Sequence, residues 1–358
     1  MQSRRIPSLR IGDLEVNPPI IQGGMGVRVS RANLAVAVAD EGCIGVISAI
    51  GLGEFKKYPL SEFTRVNEIA LRQEIRKAKS LTDGIIGVNV MWALSDYENL
   101  SRAAVDEGVD VIFCGAGLPF DLPGILDGNS TRLVPIVSSA RAFNLICRKW
   151  RARYGKVPDG VVVEGPKAGG HLGFEYGQLL SGDSPQLDGI LADVIEIANS
   201  YDPPIPVIAA GGIFDGSDIA RVLRLGASGV QMGTRFVCTH ECDVHEDFKL
   251  AYVNARKEDI TIIKSPVDMP GRVINNDFVE RVRRGERVAF KCTYKCLKNC
   301  DPRTSPYCIA DVMMRAAEGD FEKAFAFCGE NAYRCDEIIS VSELVERLAE
   351  ETAAHLGN

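Results

Sequence analysis

Short apolar runs rich in valine and isoleucine recur along the chain, each followed by a stretch of mixed polarity with helical signals. Eight stand out: Pro19–Met25, Ile44–Ala49, Ile85–Met91, Val109–Ala116, Leu133–Ser138, Val161–Gly165, Ile205–Gly212 and Gly229–Thr234. Runs that stay apolar, rather than alternating, suit strands buried on both faces, as in a parallel sheet covered by helices. The segments between them carry helix punctuation. Ser30 is the expected N-cap of a helix over Ala32–Ala39, with Gly42 just past its end, and Asp218–Leu225 followed by Gly226 repeats the pattern. Eight strands alternating with helices predict a (β/α)8 TIM barrel, whose chemistry sits at the C-terminal ends of the strands. A doubly wound open sheet shares the alternation, and the strand count favours the barrel.

The chain continues well past the eighth run, with two further helices expected over Asp243–Arg256 and Val341–His355. The expected organisation is a barrel over residues 1–256, a Cys-rich lid or subdomain over 257–340, and a closing helix over 341–358. Composition narrows the class. The 358 residues carry 41 Lys and Arg against 48 Asp and Glu, a net charge of −7, which disfavours a nucleic-acid partner. No apolar run is long enough to span a bilayer. Met1–Arg10 holds Arg4 and Arg5 with no apolar stretch behind them, so the expectation is a cytoplasmic enzyme without a membrane partner.

The residues at the strand ends carry the chemistry. Ala210-Gly211-Gly212-Ile213 and Gln231-Met232-Gly233-Thr234 close the seventh and eighth runs, where barrels often bind phosphate through backbone N–H groups freed of Cβ crowding. Two tight turns with no ligand would read the same way. No GxGxxG fingerprint follows an early strand, which argues against a Rossmann dinucleotide site. Glu164-Gly165-Pro166-Lys167-Ala168-Gly169-Gly170-His171 places a histidine on a glycine-rich loop at the barrel mouth, where an imidazole suits general acid–base work or merely holds the loop. His240, His245 and His355 read as solvated bystanders.

With these segments in view, Pro19–Gly26, Gly87-Val88-Asn89, Ala168–His171, Pro206–Ile213 and Gly229–Phe236 resemble, in order, the nitronate monooxygenase (2-nitropropane dioxygenase) family, which includes flavin-dependent enoyl-ACP reductases. The resemblance implies an FMN-binding barrel with His171 acting at the flavin face. It places flavin contacts on Gly24, Met25, Asn89, Glu164, Gly169, Gly212, Gln231, Met232, Gly233 and Thr234. It implies oxidation of alkyl nitronates, with NAD(P)H-dependent reduction of an enoyl thioester as the alternative, a small-molecule substrate, and an assembly compatible with a homodimer. Lys167 stands where most relatives carry an acid, so a cation would lie beside the flavin or meet an acidic substrate.

Eleven cysteines are many for such a chain, and six follow Lys291. Cys292, Cys296, Cys300 and Cys308 are candidate ligands of one metal centre, since spacing of four on a helix would put the first three on one face. An iron–sulfur cluster, zinc and plain packing all fit, and a flavin or metal redox-sensing protein is the reading from another class.

Overall fold

A computed structural model describes residues 6–53, 62–126, 128–290, 292 and 295–357. Among the described residues thirteen strands follow in chain order. A hairpin of β1 (Leu9–Ile11) and β2 (Leu14–Val16) precedes β3 (Ile20–Gln22), β4 (Gly45–Ser48), β5 (Ile86–Met91), β6 (Val111–Gly115), β7 (Arg132–Val137) and β8 (Val161–Glu164). The two-residue β9 (Gly170–His171) comes next, then β10 (Val207–Ala210), β11 (Gly229–Met232), β12 (Ile260–Lys264) and β13 (Pro270–Ile274). Eight of them form one parallel sheet in the order β3-β11-β10-β8-β7-β6-β5-β4. Its ends meet: Ile44 N–H donates to Ile20 O at 3.1 Å and Gln22 N–H to Ile44 O at 3.0 Å. This is the TIM barrel, and each of the eight apolar runs supplies one of its strands.

The runs are continuous because each strand feeds two cores. Ile21, Val46, Val111, Phe113, Val134, Val162 and Ile208 point into the lumen, and Leu9, Ile11 and Val16 of the hairpin pack against them. Their neighbours Ile20, Ile47, Ile112, Leu133, Val161, Val163 and Ala209 point outward to the helices. Burial on both faces removes the period-2 polarity signal.

Helix boundaries depart from expectation in instructive ways. The first helix runs Ala32–Asp40, but Ser30 is not its cap. Ser30 Oγ accepts from Met25 N–H at 2.8 Å, while the helix N-terminus is satisfied from afar, by Glu74 on Ala32 N–H and Asp243 on Leu34 N–H. Asp215 caps the helix Gly216–Arg224 through Ser217 and Asp218 N–H. The helix expected over Asp243–Arg256 is shorter, Glu246–Val253, and His245, exposed as expected, serves as its N-cap. The final helix, Val341–Gly357, packs on Gly216–Arg224, where any Cβ at Gly216 would come within 2.3 Å of Glu351 Cβ. No described helix is long and apolar enough to cross a membrane.

The described residues between Arg256 and Val341 fold over the C-terminal mouth of the barrel. β12 and β13 form an antiparallel hairpin, and β13 pairs in turn with β9, so Gly271 sits opposite His171. A chain of ring contacts, Phe278–Tyr307–Phe325–Phe327, ends on the His171 imidazole with centroids 4.9 Å apart. Further along, Leu297 bridges to Leu94 and Ser95 N–H donates to Cys296 O, fastening this segment to the loop after β5. Lys298 Nζ lies 3.9 Å from the Trp92 ring centroid in the same joint.

Candidate active site

A cavity of about 280 Å³ opens where the barrel strands end. Gly24, Met25, Asn89, Glu164, Gly169, His171, Gly212, Gln231, Met232, Gly233 and Thr234 all line it, so residues spread over more than two hundred positions converge on one space. Met232 contributes mainly backbone, because its side chain is buried in the outer core. Gly24 is held against Asn89, whose Cβ would lie 2.3 Å from a Cβ at that position.

The floor beside β10 and β11 is built for a ligand that needs backbone. Gly211 and Gly212 have φ of +89° and +83°, a region side chains rarely tolerate. A Cβ on Gly211 would meet Gly165 O at 2.9 Å, and one on Gly212 would meet Lys167 Cβ at 2.9 Å. Gln231 Oε1 is buried without a hydrogen-bond partner, an orphan acceptor in the cavity wall. Such groups are uncommon in native proteins and mark a missing donor. A strap crosses the edge of this floor: Gly329 N–H donates to Thr234 Oγ1 and Asn331 Nδ2 to Gly212 O, both at 2.9 Å.

His171 faces the cavity with Nε2 2.7 Å from Ser265 Oγ, a residue of the turn between β12 and β13. Burial lowers its pKa to about 4, so the ring is neutral at pH 7. It is a base or a hydrogen-bonding group there, and not a stored acid. Glu164, at the end of β8, moves the other way, pushed up to about 7 by burial. Two titratable groups whose environments drive them in opposite directions share one cavity. Because the Glu164 carboxyl has a folded pKa above its unfolded 4.5, its contribution to stability is intact below 4.5 and is lost as pH rises through about 7. Glu164→Gln should therefore abolish a loss of order 1–3 kcal/mol between pH 5 and 8 in the flavin-free protein. Urea denaturation of both proteins at several pH values measures this, and parallel curves would assign the slope elsewhere.

Sequence reasoning missed three supports of this site. Ser265 follows the apolar run of β12, and Arg272 is a lone cation within the apolar β13, which was the available signal. Arg272 is buried, and its Nη1 donates to Pro166 O at 2.8 Å and Ala168 O at 2.5 Å, bracing the loop that presents His171. The third is Glu330 of the strap, which pairs with Lys167 at 3.4 Å and Arg272 at 3.6 Å. Lys167 thus lines the cavity with its charge already answered by a carboxylate.

The four cysteines lie near enough for the thiols of Cys292, Cys300 and Cys308 to act on that of Cys296, but the structure gives no support to a metal centre there. Among the described residues no three His, Cys, Asp or Glu side chains come together to hold a metal ion. The expectation rested on a helix through Cys292, Cys296 and Cys300, and the described part of that stretch is bridge and turn instead. Cys296 is buried in the cavity roof with its thiol pushed up to about 12, and Cys300 Sγ sits 3.7 Å from Ser305 Oγ. Cys308 precedes the helix Ile309–Ala317, whose Ile309, Ala310 and Met313 complete an apolar roof with Phe325 and Phe327.

Comparisons with known proteins agree with the geometry. The chain is 30% identical over 264 residues to a (3aS,4S,5R,7aS)-5-hydroxy-7a-methyl-1-oxo-octahydro-1H-indene-4-carboxyl-CoA dehydrogenase of Rhodococcus jostii, covering 74% of this chain and 64% of that one. The chain therefore spans just under two thirds of that relative's length. A probable nitronate monooxygenase of Staphylococcus aureus is 26% identical, covering 76% and 79% of the two chains. The solved structure of FabK from Thermotoga maritima superposes with a TM-score of 0.75 at 29% identity, covering 98% of this chain and 97% of that one. Residues 8–351, the barrel and everything folded over its mouth, match the sequence model of one family: the chain belongs to the nitronate monooxygenases, a family of flavin-dependent oxidoreductases.

Proposed function

We propose that the protein is an FMN-dependent oxidoreductase that oxidises alkyl nitronates in this cavity, with His171 handling the substrate proton. The observation that supports it is an imidazole kept neutral by burial beside a cavity floored by Gly211, Gly212 and Gly233, a floor suited to a phosphate. One cradle, with no dinucleotide fingerprint elsewhere, suits FMN rather than FAD. The residues present fit the group. Gly211, Gly212, Gly233 and Thr234 would hold the phosphate, and the orphaned Gln231 Oε1 offers an acceptor to a flavin N–H or ribityl hydroxyl. Bound flavin supplies electron transfer from substrate to oxygen.

The chain's own residues do the rest. His171 Nε2 and Ser265 Oγ share a hydrogen bond; in the tautomer whose Nε2–H donates it, Nδ1 keeps its lone pair and would take the α-proton of a neutral nitro compound, leaving the nitronate. Phe327 packs against the ring and Arg272 fixes the loop, which limits the imidazole's freedom. Ile309, Met313 and Phe325 keep water from the roof side.

The same apolar roof, together with a relative named for a CoA ester, favours a second reading, reduction of a thioester-linked double bond with NAD(P)H as donor. Oxygen uptake separates the two. Uptake with an alkyl nitronate and no nicotinamide is expected here. NAD(P)H consumption that depends on an enoyl thioester, with no response to nitronates, would replace the first reading by the second.

A further inference from the structure

Among the described residues, Lys167 is the one Lys or Arg that lines the cavity. It stands between β8 and β9, and its stem runs along the glycine floor, where a Cβ on Gly212 would meet Lys167 Cβ at 2.9 Å and Cδ at 3.1 Å. The strap brings its counter-charge. Glu330 N–H donates to Lys167 O at 3.1 Å, and the preceding residue, Gly329, donates its N–H to Thr234 Oγ1 at 2.9 Å. The ammonium, the carboxylate and the floor therefore meet at one corner of the cavity.

The ion pair at that corner is loose. Lys167 Nζ lies 3.4 Å from Glu330 Oε1, and the two side chains are 50% and 40% exposed, so water competes for both groups. Glu330 has a second cation, Arg272 at 3.6 Å, which is buried and would be left without a counter-charge if Glu330 moved away. Bonds from Nη1 to Pro166 O and Ala168 O hold that guanidinium in place. Lys167 can therefore leave the pair without stranding a charge, and Arg272 cannot.

We infer that Lys167 exchanges partners when flavin binds: paired with Glu330 in the flavin-free protein, its ammonium turns to the phosphate monoester of FMN, and Glu330 stays with Arg272. This role rests on FMN occupying the cavity. A phosphate monoester carries about 1.5–2 negative charges at pH 7. Backbone N–H groups meet it with partial charges, and a full cation adds a stronger, charge-assisted contact. Glu330 opposes binding, because it competes for the ammonium and its own charge repels the phosphate. The strap carboxylate thus tunes how tightly flavin is held.

The test compares FMN with riboflavin, which has the same ring and ribityl chain but no phosphate. The full chain is stripped of flavin, and each ligand is titrated near neutral pH by quenching of its fluorescence. Wild type should prefer FMN. Lys167→Met should weaken FMN binding by roughly 10–100-fold and leave riboflavin unchanged, which also shows that the variant is folded. Lys167→Arg should stay near wild type. Glu330→Gln should tighten FMN binding without moving riboflavin, and should gain less when Lys167→Met is already present, because the two residues act on one contact. Equal losses for both ligands, an FMN preference that survives Lys167→Met, or FMN binding that Glu330→Gln leaves unmoved or weakens overturns the exchange while the flavin site stands. Wild-type protein that binds riboflavin as tightly as FMN contradicts the phosphate cradle itself, and the exchange with it.

Discussion

Replacing His171 by alanine should leave flavin bound and cut turnover of the neutral nitro compound by about 10²–10⁴-fold, the usual worth of a positioned proton-transfer group. The ring sits on a two-residue strand, tilted against Phe327 and bonded to Ser265, and contributes no backbone to the proposed phosphate cradle. Its removal therefore spares cofactor binding. The pH profile is the sharper readout. With a pKa of about 4, wild-type His171 is the free base across the neutral range, so activity limited by this group should be flat from pH 8 to about pH 5 and fall as pH drops through about 4. The stability sign is the same. The fold prefers the neutral ring, so His171's contribution is intact above its ordinary 6.5 and lost as pH falls through about 4. His171→Ala should lack both acid limbs. An unchanged kcat, or an acid limb that persists in the variant, would place the proton transfer elsewhere.

The cradle gives the second large effect. Gly212→Ala forces a side chain into φ of +83° and sets its Cβ 2.9 Å from Lys167 Cβ. Backbone strain of this kind costs about 1–3 kcal/mol, and the distorted turn presents its N–H groups wrongly. Flavin affinity should fall by roughly 10–100-fold, as read by equilibrium dialysis or quenching of free flavin fluorescence. Gly177→Ala is the control, since nothing lies within 4 Å of a Cβ there. Equal affinity in the two variants would mean that the phosphate is held somewhere else.

Much of this was written in the chain, because the features concerned are local. Each barrel strand announces itself as an apolar run, and its C-terminal end is marked within a residue or two by glycine, asparagine or glutamate, or, for β4 and β7, by serine. What stayed hidden depends on residues far apart in sequence. The Ser265–His171 bond joins positions 94 apart, and Arg272 reaches Ala168 across 104. Neither separation leaves a periodicity to find. The Ser30 expectation failed because a nearby hydroxyl lost to a distant carboxylate: Glu74, from the helix Phe63–Leu81, satisfies Ala32 N–H. The helix expected through Cys292, Cys296 and Cys300 is not seen among the described residues, because spacing alone does not make a helix, and the roof segment is held by its bridge to Leu94 instead.

The central claim is that this cavity carries out nitronate oxidation at a bound flavin without a nicotinamide. Its most direct test is to mix the purified holoprotein with an alkyl nitronate under strict exclusion of oxygen and follow the long-wavelength flavin absorbance. The account predicts bleaching with nitronate alone, faster than a slow assay turnover and restored on admitting air, and much slower bleaching in His171→Ala when the neutral nitro compound is supplied. A spectrum unmoved by nitronate but bleached by NADH or NADPH would contradict it.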